Sequence, residues 1–235
     1  MGSMGAGSAG QQQPSRPMPK DCSDLRTAGS TTNGVYTIYP HGGTRPLTVY
    51  CDMGTNGQAW IVIQRRTQIN NPQNYFLRTW KEYKHGFGTY SGEFWLGNDA
   101  INEITRRDHW KLRVDLYNRQ YNVTYAEYED FWIEDEANNY RLQLGTYRGT
   151  AGDSLTYHKE KAFSTTDRKN NDPNSPDCAN RYQGAWWFEN CLSSHLNGLN
   201  LNGPHDRAGQ GIIWQAFGGV QDSLIFSEMK INLMT

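Results

Sequence analysis

An α+β fold is predicted by three features of the chain. Apolar and polar residues alternate strictly at 110–116, at 140–144 and again at 229–233, the period of half-buried strands in an antiparallel sheet. Phe76, Trp80 and Tyr83, and further on Leu96, Ala100, Ile101 and Ile104, instead fall at the spacing of two short amphipathic helices. Residues 146–220 carry almost no periodicity, yet sheet-like sequence returns after them, so this stretch reads as an elaborated loop subdomain.

Residues 1–20 are rich in Gly, Ser, Gln and Pro and have neither a basic n-region nor an apolar h-region. They read as a flexible tail or cloning residue, Met1-Gly-Ser-Met4-Gly above all, and not as a signal peptide. The domain is expected to run over 21–235. Within it, Gly34-Val-Tyr-Thr-Ile-Tyr39 alternates, residues 40–43 break the pattern and Leu47-Thr-Val-Tyr-Cys51 resumes it, so 21–63 forms a small disulfide-tied β unit. The central part takes 64–155 together with 222–235. The loop-rich part, 156–221, has visible constraints in Cys178, Cys191, the pair Trp186 and Trp187, and repeated glycines.

Composition excludes several classes of function. With 23 basic and 24 acidic residues the formal net charge is −1, which gives no general pull toward nucleic acid or an anionic membrane. Mean hydropathy is −0.81, and no apolar run approaches the roughly 18 residues of a membrane span. No membrane insertion is expected. The four cysteines lack Cys-x-x-Cys spacing, against a zinc or redox site; pairing of neighbours, Cys22 with Cys51 and Cys178 with Cys191, is the simplest of the connectivities an even count permits. Free thiols are the alternative. Disulfides imply an oxidising, extracellular compartment, and the triplet Asn122-Val-Thr124 is an acceptor for an N-linked glycan, an unmodified hairpin being the other reading. There is no Gly-x-Ser-x-Gly, no His-Glu-x-x-His and no phosphate-binding glycine loop, so catalysis is not expected. The acids Glu127, Glu129, Asp130, Glu134, Asp135 and Glu136 read as a solvated face.

The motifs Val49-Tyr-Cys-Asp-Met53, Ile63-Gln-Arg-Arg66, Gly86-Phe-Gly88, Glu93-Phe-Trp-Leu-Gly97, Tyr147-Arg-Gly-Thr-Ala-Gly-Asp-Ser-Leu155, Phe163-Ser-Thr165, Gly184-Ala-Trp-Trp187, Leu196-Asn-Gly198 and Glu228-Met-Lys230 occur in order along the chain. In that order they resemble the fibrinogen-related domains of fibrinogen chains, ficolins, tachylectins, tenascins and angiopoietins. Asp130-Phe-Trp-Ile-Glu134 is most similar to invertebrate plasma lectins of the tachylectin and ficolin type. The resemblance implies three subdomains, a twisted central antiparallel sheet flanked by short helices, insertion of the C-terminal strand into that sheet, and disulfides between the two neighbouring cysteine pairs.

It also implies a calcium site and a pocket. Counted back from Cys178, the expected calcium ligands fall on the side chains of Asn170 and Asp172 and on the carbonyls of Asn174 and Pro176. One expected carboxylate is an amide here, and Arg168 and Lys169 add positive charge, both of which weaken the site. The alternative is a loop held by its disulfide and internal hydrogen bonds alone. The resemblance places an acetyl-group pocket beside this loop, with amides of Asn190-Cys191 as donors, in many relatives through a cis bond, and Tyr182 as one wall. Leu192, Ala208 and Val220 stand where relatives carry a histidine and two tyrosines, so a pocket lined by Tyr182, Leu192, Ala208, Phe217 and Val220 would be wider and more apolar, or filled. Paired tryptophans in a tied loop are expected to pack in a core rather than stack on sugar, and His195 to serve a turn.

Two functions follow as expectations. One is a secreted lectin of innate immunity that recognises glycans on microbial or cell surfaces, with any homo-oligomer forming through the domain itself. The other is a protein-binding adhesion or signalling module that uses the same surface, for instance on cell-surface glycoproteins, without a sugar pocket.

Overall fold

The structure, a computed structural model, describes residues 17–68 and 70–234. Of the expected tail, residues 1–16 lie outside the described residues. Residues 17–20 are tied to the fold: the Pro19 carbonyl accepts the Tyr39 amide at 2.7 Å, and the Lys20 amide donates to Asp24 Oδ2 at 2.8 Å. Helix α1, Cys22–Thr27, follows, with Asp21 accepting the Asp24 amide as its N-cap.

One antiparallel sheet carries the molecule. Its order is Gly34–Ile38, Leu47–Asp52, Trp60–Arg66, Phe226–Leu233, Trp110–Tyr117, Val123–Tyr128, Tyr147–Gly149. The short strands Phe87–Gly88 and Phe94–Trp95 add to it through Gln64 and Arg65. The C-terminal strand thus lies between Trp60–Arg66 and Trp110–Tyr117, as the resemblance implied. Its alternation suggested burial on one face only, but residues 227–232 are all buried. Met229 and Ile231 enter the main core. On the opposite face Lys230, 2 % exposed, reaches Asp52 and Asp115 at 2.7 Å each and Glu228 at 3.2 Å, so charge is satisfied by charge and not by water.

The helices are shorter than their apolar spacing predicts. Helix α2, Trp80–His85, begins at a capping box, in which the Thr79 side chain accepts the Glu82 amide and Glu82 reaches back to the Thr79 amide. The cap excludes Phe76, which lies in the preceding turn, buried, its ring edge-on to Phe87. Helix α3, Asn98–Thr105, buries Ile101 and Ile104 as expected. The segment 140–144 departs more: only Leu142–Gln143 is strand, and it pairs with Trp132–Ile133 outside the large sheet. Tyr140 is buried at φ 50°, a turn conformation that ends the alternation.

The loop-rich region contains helices α4, Cys178–Tyr182, and α5, Gln215–Gly218, two ladders of two residues each, one of them closed by Asp222–Ser223, and three single bridges; Tyr147–Gly149, by contrast, joins the large sheet. Both disulfides join neighbouring cysteines, Cys22 to Cys51 and Cys178 to Cys191. Where strands are lacking, side chains bind the backbone. Arg66, 0 % exposed, donates to the carbonyls of Leu196 and Gly198 at 3.0 and 2.7 Å and to Glu93 at 3.1 Å, and Gln64 donates to Leu196 O. Trp214 Nε1 reaches Gly152 O and Trp187 Nε1 reaches Tyr140 O. These contacts seat the loops on the sheet and position the surface described next.

Candidate functional site

The Cys178–Cys191 bridge closes a segment whose interior is tryptophan. Trp186 and Trp187 are both 0 % exposed and meet edge to face at 5.0 Å between ring centroids. They belong to the core and offer no face to a sugar. His195 is likewise buried, against Phe188 and Trp186, out of reach of any ligand at the surface; burial, with Arg66 and His158 adding positive charge, pushes its imidazole down to about 3.

The expected pocket residues do gather at one surface. Tyr182 ends α4 and is half-buried, packed on the core together with Leu192 and Phe217. The Gly209 amide donates to Val220 O at 2.7 Å, and a Cβ on Gly209, whose φ is +81°, would lie 2.5 Å from the Tyr182 ring; the 208–209 and 220 backbones therefore flank Tyr182. Ser193 O accepts the Gln215 amide at 3.0 Å, which brings Leu192 beside the turn of helix that carries Phe217. Ala208 is exposed and contributes only a methyl group.

The backbone on the other side of the disulfide is held by residues that sequence reasoning did not single out. The Asn190–Cys191 peptide is cis, and Asn190 O accepts from the Tyr157 hydroxyl at 3.1 Å. His158, 0 % exposed, donates from Nδ1 to Trp187 O at 2.6 Å and accepts the Ser193 and Ser194 amides on Nε2 at 3.1 Å each. That pattern needs a neutral ring, and burial, with the nearby Lys161 charge, pushes the imidazole down to about 4. The Cys191 and Leu192 amides make no hydrogen bond among the described residues. Tyr157 and His158 lie 29 to 36 residues before these partners and sit in no motif, so nothing in the sequence pointed to them.

In the loop before Cys178, where calcium was expected, several oxygens already have partners within the protein. Asp167 accepts the Trp80 amide and the Thr165 hydroxyl, and Asp177 caps α4, so both are turned to helix starts. Asp172 accepts the Asn174 amide at 2.7 Å and is the one carboxylate left in the expected set. Asn170 is anchored inward through Nδ2 on Phe163 O, and Pro176 O accepts from Asn171 Nδ2 at 2.9 Å. Asn171, 8 % exposed, also reaches Glu189 O and so staples the loop to the bridged segment. Lys169 projects into the same loop and donates from Nζ to Ser175 O at 2.7 Å. Of the expected side-chain ligands, Asp172 is an exposed carboxylate and Asn170 an amide. No group of three or more His, Cys, Asp or Glu residues that could hold a metal occurs among the described residues.

The acidic stretch 127–136 is engaged in ordinary surface pairing. Glu127 meets Arg113 at 2.9 Å, Glu129 meets Arg148, Asp130 meets His109, Glu134 meets Arg141, Glu136 pairs with Lys84, and Asp135 caps a single turn. Glu134 and Asp135 border one open depression with Arg106 and Trp132, each already engaged, Glu134 with Arg141 and Asp135 with the turn it caps. Asn122 is exposed at a hairpin tip, its amide donating to Asn118 Oδ1 at 2.9 Å. No described helix is long and apolar enough to cross a membrane.

Comparison with known proteins agrees with this architecture. The family model for the C-terminal globular domain of fibrinogen beta and gamma chains matches residues 18–234. Techylectin-5A of Tachypleus tridentatus is 45% identical over 220 residues, 92% of this chain and 74% of its own length. Human Tenascin-R is 45% identical over 217 residues, 92% of this chain but 15% of its own length. Among solved structures, the fibrinogen-like globe domain of human ANGPTL6 superposes with a TM-score of 0.85 at 36% identity, covering 96% of this chain and 99% of that one. A lamprey fibrin D-dimer complexed with the peptide Gly-His-Arg-Pro-amide does so at 0.82 and 29% identity, covering 96% and 81%.

Proposed function

Because the chain belongs to the family of fibrinogen C-terminal globular domains, we propose that it is a secreted, non-enzymatic lectin of innate immunity that binds glycans, acetylated sugars among them, on microbial or cell surfaces. The observation that carries this reading is the pairing of the free Cys191 and Leu192 amides with the half-buried wall of Tyr182, Leu192, Phe217 and Val220. Two amide donors suit a carbonyl such as that of an acetamido group, and the apolar wall suits its methyl. One shallow site of this kind binds weakly, so avidity through an oligomer built from the domain itself belongs to the proposal, as does a glycan on exposed Asn122.

A second reading, a protein-binding adhesion or signalling module, is favoured by a specific feature. Leu192, Ala208 and Val220 leave Tyr182 and Phe217 as the only rings of the expected cage, and an aliphatic surface suits a protein partner better than a sugar. The likeness to Tenascin-R and to ANGPTL6 points the same way.

A glycan array separates the two. Binding of acetylated glycans that Tyr182→Ala reduces at least about tenfold, with the melting temperature preserved, is the outcome expected of the lectin. A silent array from correctly folded protein would discard the lectin in favour of the protein-binding module.

A further inference from the structure

The loop between Thr165 and Cys178 carries a positive charge of its own among the oxygens expected to hold an ion. Lys169 Nζ lies 2.7 Å from Ser175 O and 3.4 Å from Pro173 O. Both carbonyls belong to the 173–176 turn, where they alternate with those of Asn174 and Pro176, the two that were expected to face calcium. We propose that the Lys169 ammonium is the cation of this loop, holding the 172–176 turn in place without calcium, so that the recognition surface beside it works at any free calcium level.

Three features of the loop carry this. The ammonium has three donors and engages two carbonyls of the turn at once, from a covalent tether that no chelator removes. The negative charge that would attract a divalent ion is depleted, since Asp167 and Asp177 are committed to the starts of α2 and α4 and only Asp172 remains. A divalent ion brought to this turn would also meet the lysine charge at short range, a repulsion that acts even at an exposed loop. The turn is meanwhile locked from the other side, because the Asn174 amide bonds Asp172 Oδ1 and the Ser175 amide bonds Asp172 O.

The consequence for recognition rests on the proposed glycan site, but the loop chemistry is read without any ligand. Hydrogen exchange of the Asn174 and Ser175 amides is measured on the whole chain in millimolar calcium and in excess chelator. Wild-type exchange and melting temperature are expected to be the same in both buffers. Lys169→Met is expected to accelerate exchange at these two amides about tenfold in either buffer, while Lys169→Arg, which keeps the charge, retains most of the protection. Calcium-dependent slowing in the wild type, or exchange in Lys169→Met equal to the wild type, would overturn the proposal. A silent glycan array leaves it standing, whereas a calcium-dependent turn defeats it even if sugar binds.

Discussion

The central sheet and the loop-rich region are equally well buried, yet they are held by different means. In the sheet, Ile61, Ile63, Leu112, Val114, Met229 and Ile231 are at most 1 % exposed, and their backbones are fixed by ladder hydrogen bonds that almost any side chain would permit. Around the site, Trp186, Trp187, Leu196, Ile212 and Trp214 are just as inaccessible, but the backbone between them is fixed by particular side chains: Arg66, Gln64, Asn171, His158 and Trp214. Burial alone therefore does not say how an irregular region keeps its shape. Where no ladder exists, each buried carbonyl or amide needs a named partner, and losing one partner strands several groups at once.

The seam between the two regions is the place to break this contrast most severely. Glu93→Ala should cost about 3–5 kcal/mol in urea unfolding, because it leaves the Arg66 guanidinium charged and buried where it also holds Leu196 and Gly198. A loss under about 1 kcal/mol would mean that the loops do not depend on this anchor. Next in size is the local disulfide. Removing Cys178–Cys191 with a pair of alanines should cost about 3 kcal/mol by the loop-closure estimate for its 13-residue separation. The larger Cys22–Cys51 loop, with a separation of 29, predicts a comparable value, but its cysteines lie in or beside helix and sheet. Only the first deletion should loosen amide exchange in 186–193, and equal loosening by both would erase the distinction drawn here.

Smallest per unit of the variable changed is a dependence on pH from two buried histidines of the loop region. His158 and His195 have folded values of about 4 and about 3, below the ordinary histidine value, so between about pH 6.5 and 4 the unfolded chain binds protons that the folded one does not. Their contribution is complete above the unfolded value and is lost as pH falls. Each should weaken folding by up to about 1.4 kcal/mol per pH unit in that window. Replacing His195, which makes no hydrogen bond among the described residues, by Leu should remove its share of the slope; an unchanged slope in denaturant titrations across this range would show that the ring is not titrating there.

How much was legible in advance follows from what each region uses to hold itself. Periodicity located the strands near 34–39, 47–51, 110–116 and 229–233 and both amphipathic helices, because one buried face imposes a period of two or of about 3.6, but it left Val123–Tyr128 and Tyr147–Gly149 of the same sheet unread. It overextended the first helix past the Thr79 cap and mistook 140–144 for a strand of the large sheet, since a buried turn at Tyr140 presents the same apolar spacing. Trp186 and Trp187 were legible as core from their place inside a tied loop. His158, Tyr157 and Asn171 were not, because their partners are backbone atoms distant in sequence and a backbone carbonyl leaves no residue type to read.

By itself, then, the chain determined the fold class, several of the strands, the two cysteine pairs as the simplest pairing, and the family to which its motifs belong. Those properties depend on apolar period and on residue identity, and both are written along the chain. Only the tertiary structure decided that the C-terminal strand is buried on both faces, with Lys230 among three carboxylates, that Tyr182, Leu192, Phe217 and Val220 gather at one surface, and that Lys169 reaches the Ser175 carbonyl. Each of these turns on which charged or hydrogen-bonding atoms meet across long sequence separations or around an irregular turn, a matter of geometry that no local pattern encodes.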